Sequence, residues 1–320
     1  MAIVADEIKK GGFDLIIVDE ATHYKNAQTT RWKTLNKLLT DDTWLWMMTG
    51  TPAAQSPVDA YGLAKMVNKN LVPRFFGSFK DQVMSRVSQF RWVIKPAATE
   101  IVFNSLQPAI RFTKEECLDL PPMVYAKREV ELTNQQKKYY LQIKNKMVME
   151  VTGAEVTAMN AAVSLSKLLQ ISSGAVYTDA GDVLEFDIRN RYKVLREVID
   201  ESSQKILVFV PFKHAINILT EKLRADGITT EVIQGSVSAP KRTEIFRTFQ
   251  TTNTIVWWGP TSSLETYDQA NARVHRSGQK HKSTVIQLQG SAAEKHVYRL
   301  LDKRINVHAD LINLYKEILD

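Results

Sequence analysis

The stretch that decides the fold is FDLIIVDEATHYKN, residues 13–26. Residues 13–18 hold five apolar side chains in six, with several β-branched residues, which predicts a short parallel strand buried on both faces. Two carboxylates, Asp19 and Glu20, follow at once. Because open α/β sheets bind ligands at the carboxyl ends of their strands, the pair is either placed for chemistry or is the polar start of a loop.

The same arrangement returns further along the chain. Residues 29–39 predict a helix, and residues 44–48 predict a second apolar strand that runs into Thr49, Gly50, Thr51 and Pro52. The glycine permits a tight turn, and the two hydroxyls can relay hydrogen bonds between a nucleotide site and a neighbouring surface. By itself this motif is also typical of an ordinary turn. Strand, helix and strand with polar ends predict an α/β fold with a parallel sheet.

A helical region separates this pattern from a second one that begins near Arg191. Its first helix, residues 134–149, has Thr133 and Gln136 spaced as a capping box. The apolar stripe of that helix is formed by Tyr140, Ile143 and Met147. A second helix spans residues 161–171. The later pattern predicts helices at 192–199, 214–225 and 241–249, strands at 205–210, 229–233, 254–258 and 283–288, core side chains at Trp257 and Trp258, and closing helices from Ser291 and His308.

Composition narrows the class of protein. At 320 residues the chain is long enough for two domains. The net charge of +7 and the pI of about 9.2 favour an acidic partner, most often nucleic acid. The single cysteine, Cys117, excludes an intramolecular disulfide and a cysteine-cluster metal site. Without an apolar run of membrane-spanning length, we expect no membrane contact and a reducing, cytoplasmic compartment.

The most specific motif is QANARVHRSGQ, residues 269–279. Arg273 and Arg276 are three residues apart, so on a helix both would face one way. Two guanidiniums aimed together suit the charge that spreads over the phosphoryl group during its transfer. The alternative is a solvated basic helix face.

Together these stretches resemble a Swi/Snf-type member of helicase superfamily 2, most like the bacteriophage versions. The likeness covers nearly the whole chain, in the order of the family's motifs. The matching segments are VDEAT with HYKN (motif II), MTGTPAAQSPVDAYGLAKMVN (motif III and its following helix), RFTKEECLDLPP (the segment between the lobes), KILVFVPF (motif IV), VIQGSVSAPKR (the turn and helix after the next strand) and YDQANARVHRSGQKHK (motif VI).

The resemblance implies two RecA-like lobes of the P-loop NTPase type. They would comprise residues 1–115 and 191–320, with a helical linker region at 116–190. The implied activity is DNA-dependent ATP hydrolysis that drives translocation or remodelling of duplex or single-stranded DNA, with ATP and Mg²⁺ as cofactors, in the host cytoplasm if a phage encodes the chain.

The resemblance also implies roles for individual residues. Asp19 would hold Mg²⁺, and Glu20 would activate water. Thr22 stands where many relatives have His, and the next residue, His23, carries little functional weight. The other implied residues are Thr49 and Thr51 for coupling ATP to DNA, Gln269, Arg273 and Arg276 for contacting ATP (Arg276 as the arginine finger), and Gly235, Ser236, Lys241 and Arg242 for contacting the DNA backbone.

Two departures from the family limit these expectations. No phosphate loop of the form G-x-x-x-x-G-K-[ST] occurs, and motif V is absent. We therefore expect an incomplete first lobe with an exposed strand edge and apolar surface, and little ATP hydrolysis by the chain alone. Three hypotheses stay open. The chain is half of a split motor whose phosphate loop is on a separate polypeptide, an inactive nucleic-acid-binding fragment, or a working ATPase with an unrecognised loop.

Overall fold

A computed structural model describes residues 4–53, 56–87, 92–112, 114–153, 158–178, 181–249 and 252–304. The chain divides into two compact units, residues 1–113 and 114–320. Residues 116–190, expected as a linker, lie within the second unit.

The first unit is built from short elements. Its helices are α1 Ala5–Gly11, α2 Thr30–Leu38, α3 Ala60–Val67, α4 Phe76–Val83 and α5 Ala98–Ser105, with 3-10 turns at Ala21–Tyr24, Pro57–Asp59 and Lys69–Leu71. Its strands are β1 Leu15–Val18, β2 Trp44–Met47, β3 Met84–Arg86 and β4 Trp92–Ile94. The parallel pair β1 and β2 confirms the predicted strand, helix and strand, and β3 and β4 form an antiparallel pair.

The sheet of β1 and β2 is covered on one face only. Ile16, Val18, Leu45 and Met47 pack against a core that α2 and α3 supply through Trp32, Leu35, Leu63 and Met66. On the other face, Leu15 lies opposite Trp44 and Ile17 lies opposite Trp46, and all four side chains are exposed. The prediction that residues 13–18 are buried on both faces is therefore wrong, because α2 and α3 both pack on the same side of the sheet.

The second unit surrounds a four-stranded parallel sheet in the order β5, β10, β9, β8. The strands are β5 Met123–Glu129, β8 Ile206–Phe209, β9 Thr254–Trp257 and β10 Ser283–Gln289, with a separate hairpin of β6 Ala175–Tyr177 and β7 Val183–Glu185. The helices are α6 Lys114–Cys117, α7 Asn134–Gly153, α8 Ala158–Ser173, α9 Arg189–Glu201, α10 Lys213–Ala225, α11 Ala239–Thr248, α12 Leu264–Asn271 and α13 Ala292–Asp302.

Most of the expected elements of this unit are confirmed, and one is not. Residues 229–233 form no strand, although they are described. The backbone there is bonded locally, since Arg224 Nη2 donates to Thr230 O and Thr230 Oγ1 donates to Ile228 O. β8 is consequently an edge strand of the sheet.

The helical region is part of the core of the second unit. The capping box of α7 is confirmed, because Thr133 Oγ1 accepts from Gln136 N and Gln136 Oε1 accepts from Thr133 N. Tyr140 is buried in the core of this unit and Ile143 packs against the same core, as expected of the apolar stripe. The side chain of Met147 and the expected helix from His308 lie outside the described residues.

Two features of the second unit lie at the carboxyl end of β9, namely a pair of buried tryptophans and a buried ion pair. Trp257 and Trp258 are both buried, which confirms them as core side chains. A buried ion pair joins Arg191 Nη2 of α9 to Glu294 Oε2 of α13 at 2.7 Å, and Arg191 Nη1 donates to Trp258 O. Glu294 also closes the capping box of α13 with Ser291. Removing either side chain would leave the charge of the other buried without its partner, which is strongly destabilising. The pair therefore favours the observed arrangement of α9 and α13 at the end of β9.

None of the helices in the described part of the chain is long and apolar enough to cross a membrane.

Candidate functional site

The acidic pair lies where β1 ends. Val18 is the last residue of the strand, and both Asp19 and Glu20 are exposed. Glu20 N donates to Asp19 Oδ1 at 2.9 Å. Glu20 has a φ of 52°, in the left-handed region, which costs a residue with a side chain roughly 1–3 kcal/mol and persists where the surroundings enforce it. This turn directs the chain into the 3-10 segment Ala21–Tyr24.

Backbone hydrogen bonds connect this turn to the one after β2. Met48 N donates to Val18 O at 2.8 Å, and Ala21 N donates to Met48 O at 2.9 Å. Thr49 follows Met48 directly, and Thr49 Oγ1 accepts from Thr51 N at 3.2 Å. The structure therefore brings Asp19 and Glu20 to the same edge of the sheet as Thr49 and Thr51, which the sequence predicted from the strand ends.

A second set of contacts holds the 3-10 segment in place, and sequence reasoning missed it. Lys25 Nζ pairs with Asp59 Oδ2 at 3.2 Å, and Gly62 N donates to Lys25 O at 3.2 Å. Trp32 Nε1 donates to Gly62 O at 2.8 Å. A Cβ at Gly62 would lie 2.2 Å from Lys25 O, so only glycine permits this approach. The contacts join residues 30 or more positions apart, and the one local signal was a glycine inside the apolar helix α3.

In the second unit the two arginines of the motif do not lie on a helix. α12 ends at Asn271, and Arg273 and Arg276 are both exposed in the turns that follow. The expectation that a helix aims both guanidiniums the same way is therefore wrong. The helix ends where Asn271 Oδ1 accepts from Trp257 Nε1 at 3.0 Å.

Side chains on either side of the arginines hold these turns. His275 Nε2 and Pro121 O are 2.9 Å apart. Gln279 Nε2 donates to both Thr252 O and Val274 O at 3.1 Å. Gln269 is exposed on α12, with its amide 3.5 Å from Glu265 Oε1. The turns thus present Arg273 and Arg276 to solvent from a backbone anchored at several points.

The four residues expected near the DNA backbone lie in the first turn of α11 and in the turn that precedes it. Arg242 Nη2 donates to Gln234 O at 3.2 Å and to Gly235 O at 3.3 Å. Lys241 Nζ pairs with Glu244 Oε2 at 3.1 Å, and this hydrogen bond raises the pKa of Lys241. Gly235 and Ser236 are exposed in the turn that precedes the helix. The structure therefore links Gly235 to Arg242 and places Lys241 in the first turn of α11.

The donor set at the end of β1 suits a magnesium ion shared with a nucleotide. Within the described residues there is no group of three or more His, Cys, Asp or Glu side chains that could hold a metal by itself. Mg²⁺ needs no such group, since one or two carboxylates usually bind it together with substrate phosphates and water. The exposed carboxylate of Asp19 fits that role.

Comparisons with known proteins match both units. The family model of the SNF2-related domain matches residues 2–174, and the model of the helicase conserved C-terminal domain matches residues 190–257. Protein p41 of Acyrthosiphon pisum secondary endosymbiont phage 1 is 26% identical over 233 residues, which are 65% of this chain and 48% of that protein. The chromodomain-helicase-DNA-binding protein 3 homolog of Caenorhabditis elegans is 24% identical, over 88% of this chain and 18% of its own length.

A solved structure is also similar. The Sulfolobus solfataricus SWI2/SNF2 ATPase core, in complex with dsDNA, has a TM-score of 0.47 at 21% identity and covers all of this chain and 74% of its own. This chain spans about half of the phage protein and less than a fifth of the nematode protein. Because the model of the SNF2-related domain matches more than half of the residues of this chain, the chain belongs to that family, the Swi/Snf-type proteins of helicase superfamily 2, and its units have α/β architecture with parallel sheets.

Proposed function

We propose that the chain is part of a DNA-dependent ATPase motor, which couples ATP hydrolysis to movement along DNA or to its remodelling. The observation that supports this most is the edge of the first sheet. There, Asp19 and Glu20 are hydrogen-bonded through Ala21 and Met48 to the turn that carries Thr49 and Thr51. Carboxylates and hydroxyls held by rigid backbone are what phosphoryl transfer requires, because its catalysis depends on positioning and electrostatics.

In the first unit, Asp19 would hold Mg²⁺ on the nucleotide, and the bound ion would neutralise charge on the phosphates. Glu20 would orient the attacking water and accept its proton. The position of its carboxylate depends on the left-handed turn at Glu20 itself, which two backbone hydrogen bonds maintain. Thr49 and Thr51 would pass a change at the nucleotide to the surface that contacts DNA.

In the second unit, Gln269 would contact ATP, and Arg273 and Arg276 would stabilise the charge that develops on the transferred phosphoryl group. Both arginines are exposed on an anchored turn. We take Arg276 as the arginine finger.

DNA would be bound through its phosphates. Gly235 and Ser236 are exposed in the turn before α11, and Lys241 adds a positive charge in the first turn of that helix. Such contacts do not read bases, so binding would be independent of sequence. Both duplex and single-stranded DNA carry the phosphates that such contacts need. If a phage encodes the chain, we propose the host cytoplasm as its compartment.

The absence of a phosphate loop from these 320 residues favours two further candidates. The 320 residues contain no G-x-x-x-x-G-K-[ST] sequence and no Gly-Lys dipeptide. Such a loop supplies backbone N–H groups and a lysine to the β- and γ-phosphates. The chain would then be part of a motor whose loop comes from residues outside these 320, on the same or on a separate polypeptide, or a nucleic-acid-binding protein that does not hydrolyse ATP.

The test is steady-state ATP hydrolysis with saturating DNA and Mg²⁺. It compares the wild type with Glu20→Gln and with the control Glu7→Gln, which alters an exposed carboxylate on α1. We expect the chain alone to hydrolyse little ATP. Addition of a polypeptide that carries the phosphate loop should restore a rate that Glu20→Gln abolishes and Glu7→Gln preserves, because Glu20 acts on a triphosphate held by the loop.

Each other outcome selects a different function. A fast rate from the chain alone that Glu20→Gln abolishes would identify a working ATPase with an unrecognised loop. Salt-sensitive DNA binding without hydrolysis in any mixture would identify the binding protein, and a rate that ignores Glu20→Gln would contradict the role of Glu20.

A further inference from the structure

The positive charge of the chain is concentrated in one part of the first unit. From the start of α3 to the end of that unit, residues 60–113, there are eight Lys or Arg side chains and two Asp or Glu side chains. This is a net charge of +6, whereas residues 1–59 carry six basic and eight acidic side chains. The charge of the whole chain is +7. Most of the excess therefore lies on a segment that contains none of the residues implied in contacts with ATP or DNA.

Two of these cations lie against aromatic rings. Lys80 Nζ is 3.7 Å from the centroid of the Trp92 ring. The guanidinium carbon of Arg74 is 5.4 Å from the centroid of the Phe75 ring. Contacts of this kind orient a cation without neutralising it, because an aromatic ring carries no net charge. The positive charges of both side chains are therefore available to an anionic ligand.

Further contacts join these two pairs into one surface. Lys65 Nζ donates to Arg74 O at 2.8 Å and to Tyr61 Oη at 2.9 Å. The rings of Tyr61 and Phe76 have centroids 5.5 Å apart. Phe76 and Lys80 are one turn apart on α4, so they share a face of that helix. What we call the cation–aromatic stripe comprises Lys65, Arg74, Phe75, Phe76, Lys80 and Trp92.

The stripe is suited to a charged ligand and not to the interior of a protein. The ammonium groups of Lys65 and Lys80 contact neutral groups, and burying such charges without an anionic partner is strongly unfavourable. Beside these cations, Phe75 is 65% exposed and Phe76 is 44% exposed. Cations and open aromatic rings side by side match a ligand that has both phosphates and unstacked bases.

We propose that the cation–aromatic stripe binds single-stranded DNA. Lys65, Arg74 and Lys80 contact phosphates, and unpaired bases stack on Phe75 and Phe76. Duplex DNA fits this surface less well, because its bases already stack on one another and offer no free face to an aromatic side chain. The choice of DNA as the nucleic acid rests on the proposed function, whereas the stripe involves neither ATP hydrolysis nor the residues at α11.

The test is fluorescence anisotropy of the full chain with a labelled single strand of about 20 nucleotides, longer than the usual site sizes, and with the duplex of the same sequence. Phe75→Ala should weaken binding of the single strand by about 5- to 150-fold, the effect of losing one stacked base. It should leave the affinity for the duplex unchanged. The matched control is Phe103→Ala, which removes an equally exposed aromatic ring on α5 of the same unit and should change neither affinity.

Lys80→Gln is the second variant, because it removes a charge and keeps part of the side-chain stem that covers Trp92. It should reduce the slope of log affinity against log salt for the single strand by about 0.7, the effect of one lost phosphate contact. Its control, Lys33→Gln, removes a charge from an exposed position on α2 and should leave the slope unchanged. Lys241→Ala tests the proposed duplex contact separately, so an unchanged duplex affinity there would contradict the proposed function and not the stripe.

The two variants are independent, so the test stands if one of them does not fold, as judged by circular dichroism. Weaker binding of the single strand by a folded variant, with its control unchanged, supports the stripe. The proposal is overturned by a wild type that does not bind the single strand at about 100 μM, the weak end of non-specific binding. Stripe variants that bind like the wild type, or controls that lose as much affinity, would also overturn it. An equal loss of single-strand and duplex affinity in Phe75→Ala would do the same, since unpaired bases would then not be what the ring contacts.

Discussion

At the scale of single residues, Glu20 adopts a backbone conformation that residues with side chains disfavour, and its neighbours show what enforces it. Ala21 is tied to Met48 on one side, and the 3-10 segment is tied to Gly62 on the other. The sequence predicts that two carboxylates follow a strand. It does not predict the left-handed φ of Glu20, because the groups that impose it come from positions far along the chain.

Gly62→Ala should destabilise the first unit. The added Cβ would lie 2.2 Å from Lys25 O, which is backbone and cannot rotate away. Overpacking of this kind costs about 1–3 kcal/mol. Hydrogen exchange of α2 and α3 in the full chain measures the loss. The control is Gly77→Ala in α4, where a Cβ meets nothing within 4 Å. Similar hydrogen-exchange rates in the two variants would show that the close approach at Gly62 does not contribute to the stability of the first unit.

Arg276→Ala should impair catalysis without affecting the fold. The side chain is exposed in a turn, so the free energy of unfolding should change by less than about 0.5 kcal/mol. In a motor that hydrolyses ATP, turnover should fall by a factor of about 10³–10⁵, as when other arginine fingers are removed. Arg247→Ala, at an exposed position on α11, is the control for turnover. A large drop in the melting temperature of Arg276→Ala would show instead that Arg276 supports the turn.

At the scale of elements, local patterns predict strands and helices whose signal lies within the segment. β2 and α2 agree with their predicted ranges to within a residue or two at each end. The strand β5 was not predicted, because its residues mix charged with apolar side chains and its partner β10 is distant in sequence. The predicted strand at 229–233 was wrong, since short-range hydrogen bonds of Thr230 with Arg224 and Ile228 hold the backbone there. Arg273 and Arg276 do not share a helix, because α12 ends at Asn271, whose side chain accepts from Trp257.

The hydrogen bond between Tyr192 of α9 and Asp226 at the end of α10 should make the free energy of unfolding decrease at alkaline pH. Burial, and then the hydrogen bond to Asp226, raise the pKa of Tyr192 to about 12. A raised folded-state pKa means that this stabilisation is complete below pH 10, the ordinary tyrosine value, and is lost as pH rises toward 12. Urea unfolding between pH 9 and 12 should show a shallower decline for Tyr192→Phe than for the wild type.

The control for this measurement is Tyr177→Phe, which removes the hydroxyl of a partly exposed tyrosine on β6. Its decline should match that of the wild type. Equal slopes for Tyr192→Phe and the wild type would show that the hydrogen bond to Asp226 does not determine the alkaline stability.

At the scale of the whole molecule, the charge of +7 predicts that the proposed DNA binding is mainly electrostatic. Affinity for two unrelated duplexes of equal length should be similar and should fall linearly with salt on a log–log plot, because each phosphate contact releases counterions. Fluorescence anisotropy between about 50 and 200 mM NaCl measures the slope. Lys241→Ala should reduce the slope by about one unit and Lys137→Ala should not. Binding that is indifferent to salt, or strong preference for one duplex, would contradict phosphate recognition.

The order of strands in the second sheet has a consequence for how the chain is made. β5 pairs with β10, which the ribosome synthesises about 160 residues later. At about 5–20 residues per second, that delay lasts roughly 8 to 30 seconds. During this delay β8 and β9 can pair with each other. β5 can join the sheet only after β10, which lies between β5 and β9, has been synthesised. A ribosome that stalls before Ser283 would therefore display β5 as an unprotected segment, and pulsed proteolysis of stalled nascent chains would cut there first.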